Sequence, residues 1–135
     1  MFANCSMSGM NFGFPDVCLT PVPPSPSPIP IPYPNIAMTP TALPPTASMK
    51  YLTSVMPSHH IGTTIPMTMG DNAGVVGGVA SGMMMGTSRH TRCSTKILIN
   101  AMPATRWLDN TMQNMTNCPA GMSLVPSQFK VLYMS

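Results

Sequence analysis

The sequence predicts an all-β domain of short strands with an extended proline-rich arm and pseudo-threefold repeat character. Three observations carry this reading: a high proline count, a shortage of charge, and one repeated strand pattern. The chain has 135 residues, enough for one domain, and carries 17 prolines, 16 methionines, no glutamate and only nine formally charged side chains. Helical bundles need Glu, Lys, Arg or Gln on a wet face and few interior prolines, and this composition supplies neither. Six Lys+Arg against three acids leave a net charge of +3. That is too little for a disordered charged tail and too scattered for phosphate neutralisation, so nucleic acid is not an expected partner.

Residues 1–20 read as a Gly/Asn/Met-rich entry. They lack the cationic start and continuous apolar stretch of a secretory signal, so synthesis in the cytoplasm is expected. There Cys5, Cys18, Cys93 and Cys118 are expected as reduced thiols or metal ligands rather than disulfides. The tract Pro21–Pro34 places eight prolines in fourteen residues, alternating from Pro26. This excludes helix and interior strand and predicts a polyproline II arm, with Ile29, Ile31 and Tyr33 as packing residues.

After Met49 the signals are short strands at Lys50–Met56, Thr95–Asn100 and Gln128–Met134, with glycines 62 to 86 opposing long helices. Met83-Met-Met85 reads as core filling. The repeat lies in this half. Lys50-Tyr-Leu-Thr-Ser-Val-Met-Pro57 aligns with Lys96-Ile-Leu-Ile-Asn-Ala-Met-Pro103, sharing Lys, Leu, Met and Pro, and Lys130-Val-Leu-Tyr-Met134 begins it again. Three similar units in one chain predict approximate threefold symmetry, which suits a monomer seated on a trimer.

Catalytic constellations are poor. Asp16, Asp71 and Asp109 each stand in turn-forming contexts, and the His90/Cys93 pair has no evident orienting acid. The glycine-rich stretch from Gly70 lacks the Lys-Ser/Thr of a phosphate loop. No enzymatic activity is expected. Three histidines and four cysteines offer zinc ligands without a Cys-x-x-Cys spacing, and a metal crosslink would help a small domain with a limited core.

Ser94-Thr-Lys-Ile-Leu-Ile-Asn-Ala-Met-Pro-Ala-Thr-Arg106 resembles the signature of PAAR-repeat proteins, with Thr105 in place of the second Ala and Asn100-Ala101 where a turn glycine is usual. The wider chain is similar to the PAAR-like domains of contractile injection systems. The match runs through Gly13-Phe-Pro-Asp-Val-Cys-Leu-Thr-Pro21, Pro30-Ile-Pro-Tyr-Pro-Asn-Ile-Ala37, His59 with Gly62–Pro66, and Gly70-Asp-Asn-Ala-Gly74. It continues at Ala80–Gly82, Gln113-Asn114 and Val125–Gln128.

The resemblance implies a single small conical β domain over 1–135. Family members often carry a fused toxin domain, and its absence from these residues leads to the expectation of a bare tip or of the isolated tip domain of something longer. The domain would be a non-enzymatic tip on the trimeric VgrG-type spike of a type VI secretion system or related particle. One tip would serve each trimer, aiding membrane puncture and effector delivery, and would leave the cell with the apparatus. Effectors or their chaperones are further implied partners, and the target membrane is touched only in passing. The resemblance also implies zinc, with Cys18, His59, His90 and Cys118 as the expected ligands and His60 and Cys93 as substitutes. The alternative is a cytoplasmic adaptor whose proline-rich arm docks onto a partner domain.

Overall fold

A computed structural model describes residues 1–24 and 26–134. Among these the chain is almost entirely β, and its helical content is two single 3₁₀ turns, Thr39–Thr41 and Pro44–Thr46. Among the described residues no helix is long and apolar enough to cross a membrane. The strands are β1 (Met10–Thr20), β2 (Ile29–Met38), β3 (Ser48–Thr53), β4 (Met56–Ser58), β5 (Thr64–Ile65) and β6 (Gly77–Gly78), then β7 (Ser88–His90), β8 (Leu98–Ile99), β9 (Met102–Pro103), β10 (Asn110–Gln113) and β11 (Cys118–Val125). The main sheet runs β2-β1-β11-β10-β7-β5, with β6 added to β1, and the hairpins β3-β4 and β8-β9 stand apart. All described pairings are antiparallel.

The longest strand, β1, lies in the N-terminal stretch that gives no strand signal in the sequence. Its alternation is inverted: the inward residues are Asn11, Asp16, Cys18 and Thr20, while Phe14 is exposed. The pairing register with β2 shifts between Gly13 and Asp16. This bulge moves the buried positions from odd to even numbers, so polar side chains face inward along the whole strand.

The proline tract is extended as expected, but from Ile29 it pairs with β1 as an edge strand instead of running as a free arm. Strand parity explains why prolines are tolerated. The Ile36 N–H points away from β1 and bonds Met69 O at 2.7 Å. Pro30, Pro32 and Pro34 share that parity, so their missing donors lie on the outer edge. Such an edge cannot recruit further strands. Tyr33 and Ile31 are half-buried, with Tyr33 Oη 2.6 Å from Thr20 Oγ1, whereas Ile29 is exposed.

The repeat is present, but the strands expected in it are corrected. Lys50–Met56 is broken by a turn at Ser54-Val55, Thr95–Asn100 shortens to Leu98–Ile99, and Gln128–Met134 keeps only the bridge residue Leu132. Thr53 pairs Met56 and Ile99 pairs Met102, each across a two-residue turn in which both residues have positive φ: Ser54 and Val55 at 51° and 71°, Asn100 and Ala101 at 52° and 62°. These are the primed turns that match strand twist, built without glycine. The third unit uses both termini. Phe2 bridges Leu132, and Tyr133 N–H bonds Met1 O at 2.7 Å, standing where Thr53 and Met56 pair in the first unit. In each unit one side chain accepts the N–H three residues on: Ser48 from Tyr51 (3.2 Å), Ser94 from Ile97 (3.2 Å), and Gln128 from Val131 (2.7 Å).

Main-chain bonds then close these units into a ring. His59 N–H bonds Asn4 O at 3.0 Å, Asn4 N–H bonds Thr105 O at 3.2 Å, and Thr105 N–H bonds His59 O at 3.3 Å. A second cycle follows two residues on, with Ser6, Ile61 and Trp107 donating to Pro57, Pro103 and Phe2 at 3.0, 2.9 and 2.8 Å. The bridges Ala3↔Arg106, Cys5↔Ser58 and His60↔Ala104 lie between them. A pseudo-threefold axis therefore passes between Asn4, His59 and Thr105.

The interior is polar. The largest fully buried side chains include His59, Gln113, Asn4, Asn11, Asn35 and Asn114, while the buried apolar residues are alanines, cysteines, Ile65 and Ile99. Met83 and Met84 are exposed, which corrects the expectation of core filling. That segment contributes main chain instead: Met83 O and Met85 N–H bond buried side chains described next.

Candidate metal centre

Asp16 and Cys18, two residues apart on β1, point to the same inward face. Asp71 reaches them from the turn closed by Gly74 N–H to Asp71 O at 2.9 Å. Gly70 permits this turn: its φ is +124° and an added Cβ would collide with Pro34 O. Cys18 Sγ lies 3.7 Å from Asp16 Oδ1 and 3.6 Å from Asp71 Oδ2, and all three residues are buried.

Three amides surround the acids. Asn114 Nδ2 donates to Asp16 Oδ2 (3.2 Å), Asp71 Oδ2 (3.0 Å) and Met83 O (2.8 Å). Asn35 and Asn117 Nδ2 also donate to Asp16. Two amide orientations are fixed by main chain: Gly86 N–H bonds Asn114 Oδ1 and Ala80 N–H bonds Asn117 Oδ1, both at 2.9 Å. Donor hydrogens therefore face the carboxylates. Gly78 and Gly86 allow the approach, since an added Cβ on either would run into Asn117 or Asn114. Burial pushes the Asp71 carboxyl up, reinforced by Asp16. Burial, with both acids alongside, pushes the Cys18 thiol up to about 12.

The ligand atoms of Asp16, Cys18 and Asp71 lie within 4.8 Å of one another, so the three could hold a metal ion. Asp71 Oδ1 is buried without a partner, and a divalent ion would offset the repulsion of two acids and a thiolate. Sequence reasoning placed both aspartates in turns and missed them as a pair. The turn at Asp71 is present, but its carboxylate is turned inward, and Asp16 is strand. Asp109 closes a turn to Arg106 and is also buried, held by the Arg106 guanidinium at 3.0 Å.

The four residues expected around zinc are dispersed over two regions. Cys18 joins the two aspartates. Cys118 is buried opposite Gln113 where β11 begins, and burial next to Asp16 raises its thiol. His59 lies in the ring around the pseudo-threefold axis, and His90 sits in β7 opposite Thr111. Desolvation pushes His59 down to about 3, with His90 and His60 close enough to add to the effect, and holds His90 at about 4. Of the substitutes, His60 Nδ1 accepts Gly62 N–H at 3.1 Å, and half-buried Cys93 offers its carbonyl to Arg106. Among the described residues, Asp16, Cys18 and Asp71 form the one group of three or more His, Cys or acidic ligands at metal spacing.

A polar-cored, pseudo-threefold β domain with a buried acid–thiol–amide cluster defines the class. Residues 9–120 match the family described as toxin PAAR-like domain, and the chain belongs to that family. No curated protein and no solved structure matches it. The family is structural and toxin-associated and is associated with VgrG spikes, which suggests a spike-associated protein of a type VI or related contractile system. Five stretches that carry the sequence resemblance meet at the cluster: those of Asp16 and Cys18, Asn35, Asp71, Ala80 and Asn114.

Proposed function

We propose that the protein is a non-enzymatic tip that caps a trimeric VgrG-type spike, one copy per trimer. The observation that supports this is the closed three-way ring, which gives a single chain three equivalent arms. The arms expose matching apolar residues: Leu52, Leu98 and Leu132 are 58%, 62% and 54% accessible, with Met56, Met102 and Met1 beside them. Equivalent residues on three arms suit a partner with true threefold symmetry, where covering apolar surface supplies the affinity. Force transmission needs stiffness, which cyclic main-chain bonding, short turns and the acid–amide cluster provide.

Zinc is the ion we assign to Asp16, Cys18 and Asp71, because it takes carboxylate and thiolate together; its contribution would be a structural crosslink between β1 and the Gly70–Gly74 turn. This reading places the protein in the cytoplasm on synthesis and outside the cell after firing. The adaptor alternative is less well supported, because Ile29–Pro34 is already paired to β1. Co-expression with a VgrG-type trimer tests the proposal: the two should co-purify, and replacing Leu52, Leu98 and Leu132 by Asp should abolish co-purification. A folded chain that never associates with the trimer would overturn it.

A further inference from the structure

In the three arms the outgoing segments align as Ser48–Thr53, Ser94–Ile99 and Gln128–Tyr133, six positions each. Only two of these positions carry the same residue in all three arms. One is the leucine, Leu52, Leu98 and Leu132; the other is a lysine, Lys50, Lys96 and Lys130. All three lysines are exposed, and the one ion pair among the described residues joins Arg106 to Asp109, so nothing inside the fold uses them.

The same local bonding holds each lysine in its arm. Ser48, Ser94 and Gln128, two residues before it, accept the N–H of Tyr51, Ile97 and Val131, one residue after it. Ser94 and Gln128 also accept the N–H of Lys96 and Lys130 themselves, at 3.3 and 2.7 Å. Cyclic main-chain bonding relates the arms, so the lysines occupy equivalent places around the pseudo-threefold axis.

The remaining charge accentuates this arrangement. The chain has three acidic side chains, Asp16, Asp71 and Asp109, and all of them are buried. Exposed charged side chains are therefore all cationic: these three lysines, Arg89 and Arg92. Solubility alone does not require like charges at equivalent positions, whereas an oppositely charged partner of matching symmetry does. Cations divided among three arms do not form the stripe that tracks a phosphate backbone.

We propose that Lys50, Lys96 and Lys130 dock onto an acidic ring, one Asp or Glu side chain from each spike subunit, presented around the threefold axis of the spike. The proposal rests on the spike-capping reading and adds the charge chemistry that the partner must carry. Covering the leucines supplies affinity; the lysines, two residues away, supply rotational register and a faster, salt-dependent encounter.

Binding of the full chain to a VgrG-type trimer, measured by interferometry across a salt series, tests this. Lys50→Met, Lys96→Met and Lys130→Met should each weaken association by a similar factor, about two- to fivefold at low salt. The triple variant should lose about tenfold or more, together with most of the salt dependence. Replacing Arg89 and Arg92 by Met removes charge away from the arms and should change affinity less than about twofold. A triple Lys→Glu variant should be rescued by a trimer whose acidic ring is replaced by Lys. Circular dichroism checks that each variant is folded. Parent-like, salt-sensitive binding by the folded triple Lys→Met variant, or an equal loss from the arginine pair, would overturn the proposal and leave spike capping standing. So would lysine-dependent binding to phosphatidylserine vesicles but not to the trimer. A folded chain that binds no trimer overturns both readings.

Discussion

Replacing Asn114 by Leu removes the centre of the acid–amide cluster at nearly constant volume. Asn114 bonds four groups: the Asp16 and Asp71 carboxylates, Met83 O and Gly86 N–H. Asp16 keeps Asn35 and Asn117, and Asp71 keeps the Met85 N–H. The loss therefore falls hardest on Met83 O and Gly86 N–H, at about 1–3 kcal/mol for each group left unsatisfied. With weaker support for two adjacent buried acids added to these two groups, the total is about 3–7 kcal/mol. Against a domain stability of about 5–15 kcal/mol, this brings the protein near unfolding. Urea denaturation of metal-free protein measures it directly. Adding Asp71→Asn should recover part of the loss, because removing one of the two charges relieves the repulsion that Asn114 relieves in the parent. A cost below about 1 kcal/mol, or strictly additive effects in the double variant, would refute the view that this cluster organises the interior.

Val55, a β-branched residue at φ 71°, sits in a left-handed turn that favours glycine. Val55→Gly is expected to stabilise the chain by about 1 kcal/mol, raising Tm by roughly 3–5 °C by calorimetry. Gly78→Ala should do the reverse, because its Cβ would displace the Asn117 side chain that bonds Asp16 and Ala80; a melting curve that does not move counts against that packing. Leu98→Asp alone should leave Tm within about 0.5 kcal/mol equivalent of the parent, since Leu98 is exposed, yet weaken association with the spike in a pull-down.

Two parts of the architecture were legible for definite reasons. Hairpins at 52–57 and 98–103 share Leu, Met and Pro at fixed offsets, so the repeat survives in the sequence. The Pro alternation in 28–34 marked an extended segment, read as a polyproline II arm. Its pairing to β1 as an edge strand was not legible, because only the fold shows that the missing donors face outward. The interior was not legible, because hydropathy marks a buried face by apolar residues, and here Asn11, Asp16 and Thr20 occupy it. For the same reason the methionines 83–85 read as core, although Met83 and Met84 are exposed and the loop reaches the buried cluster through Met83 O and Met85 N–H. The third repeat looked truncated at Met134, because its partner strand lies at the other end of the sequence, in Met1 and Phe2. Asp71 was readable as a turn residue; only the fold brings it to Asp16, more than fifty positions away.

The ring through Asn4, His59 and Thr105 makes stoichiometry the most direct test of the central claim. Native mass spectrometry of the chain co-expressed with a VgrG-type trimer should give one chain to three spike subunits. Three chains per trimer, or a well-folded chain that leaves the trimer bare, would contradict the account.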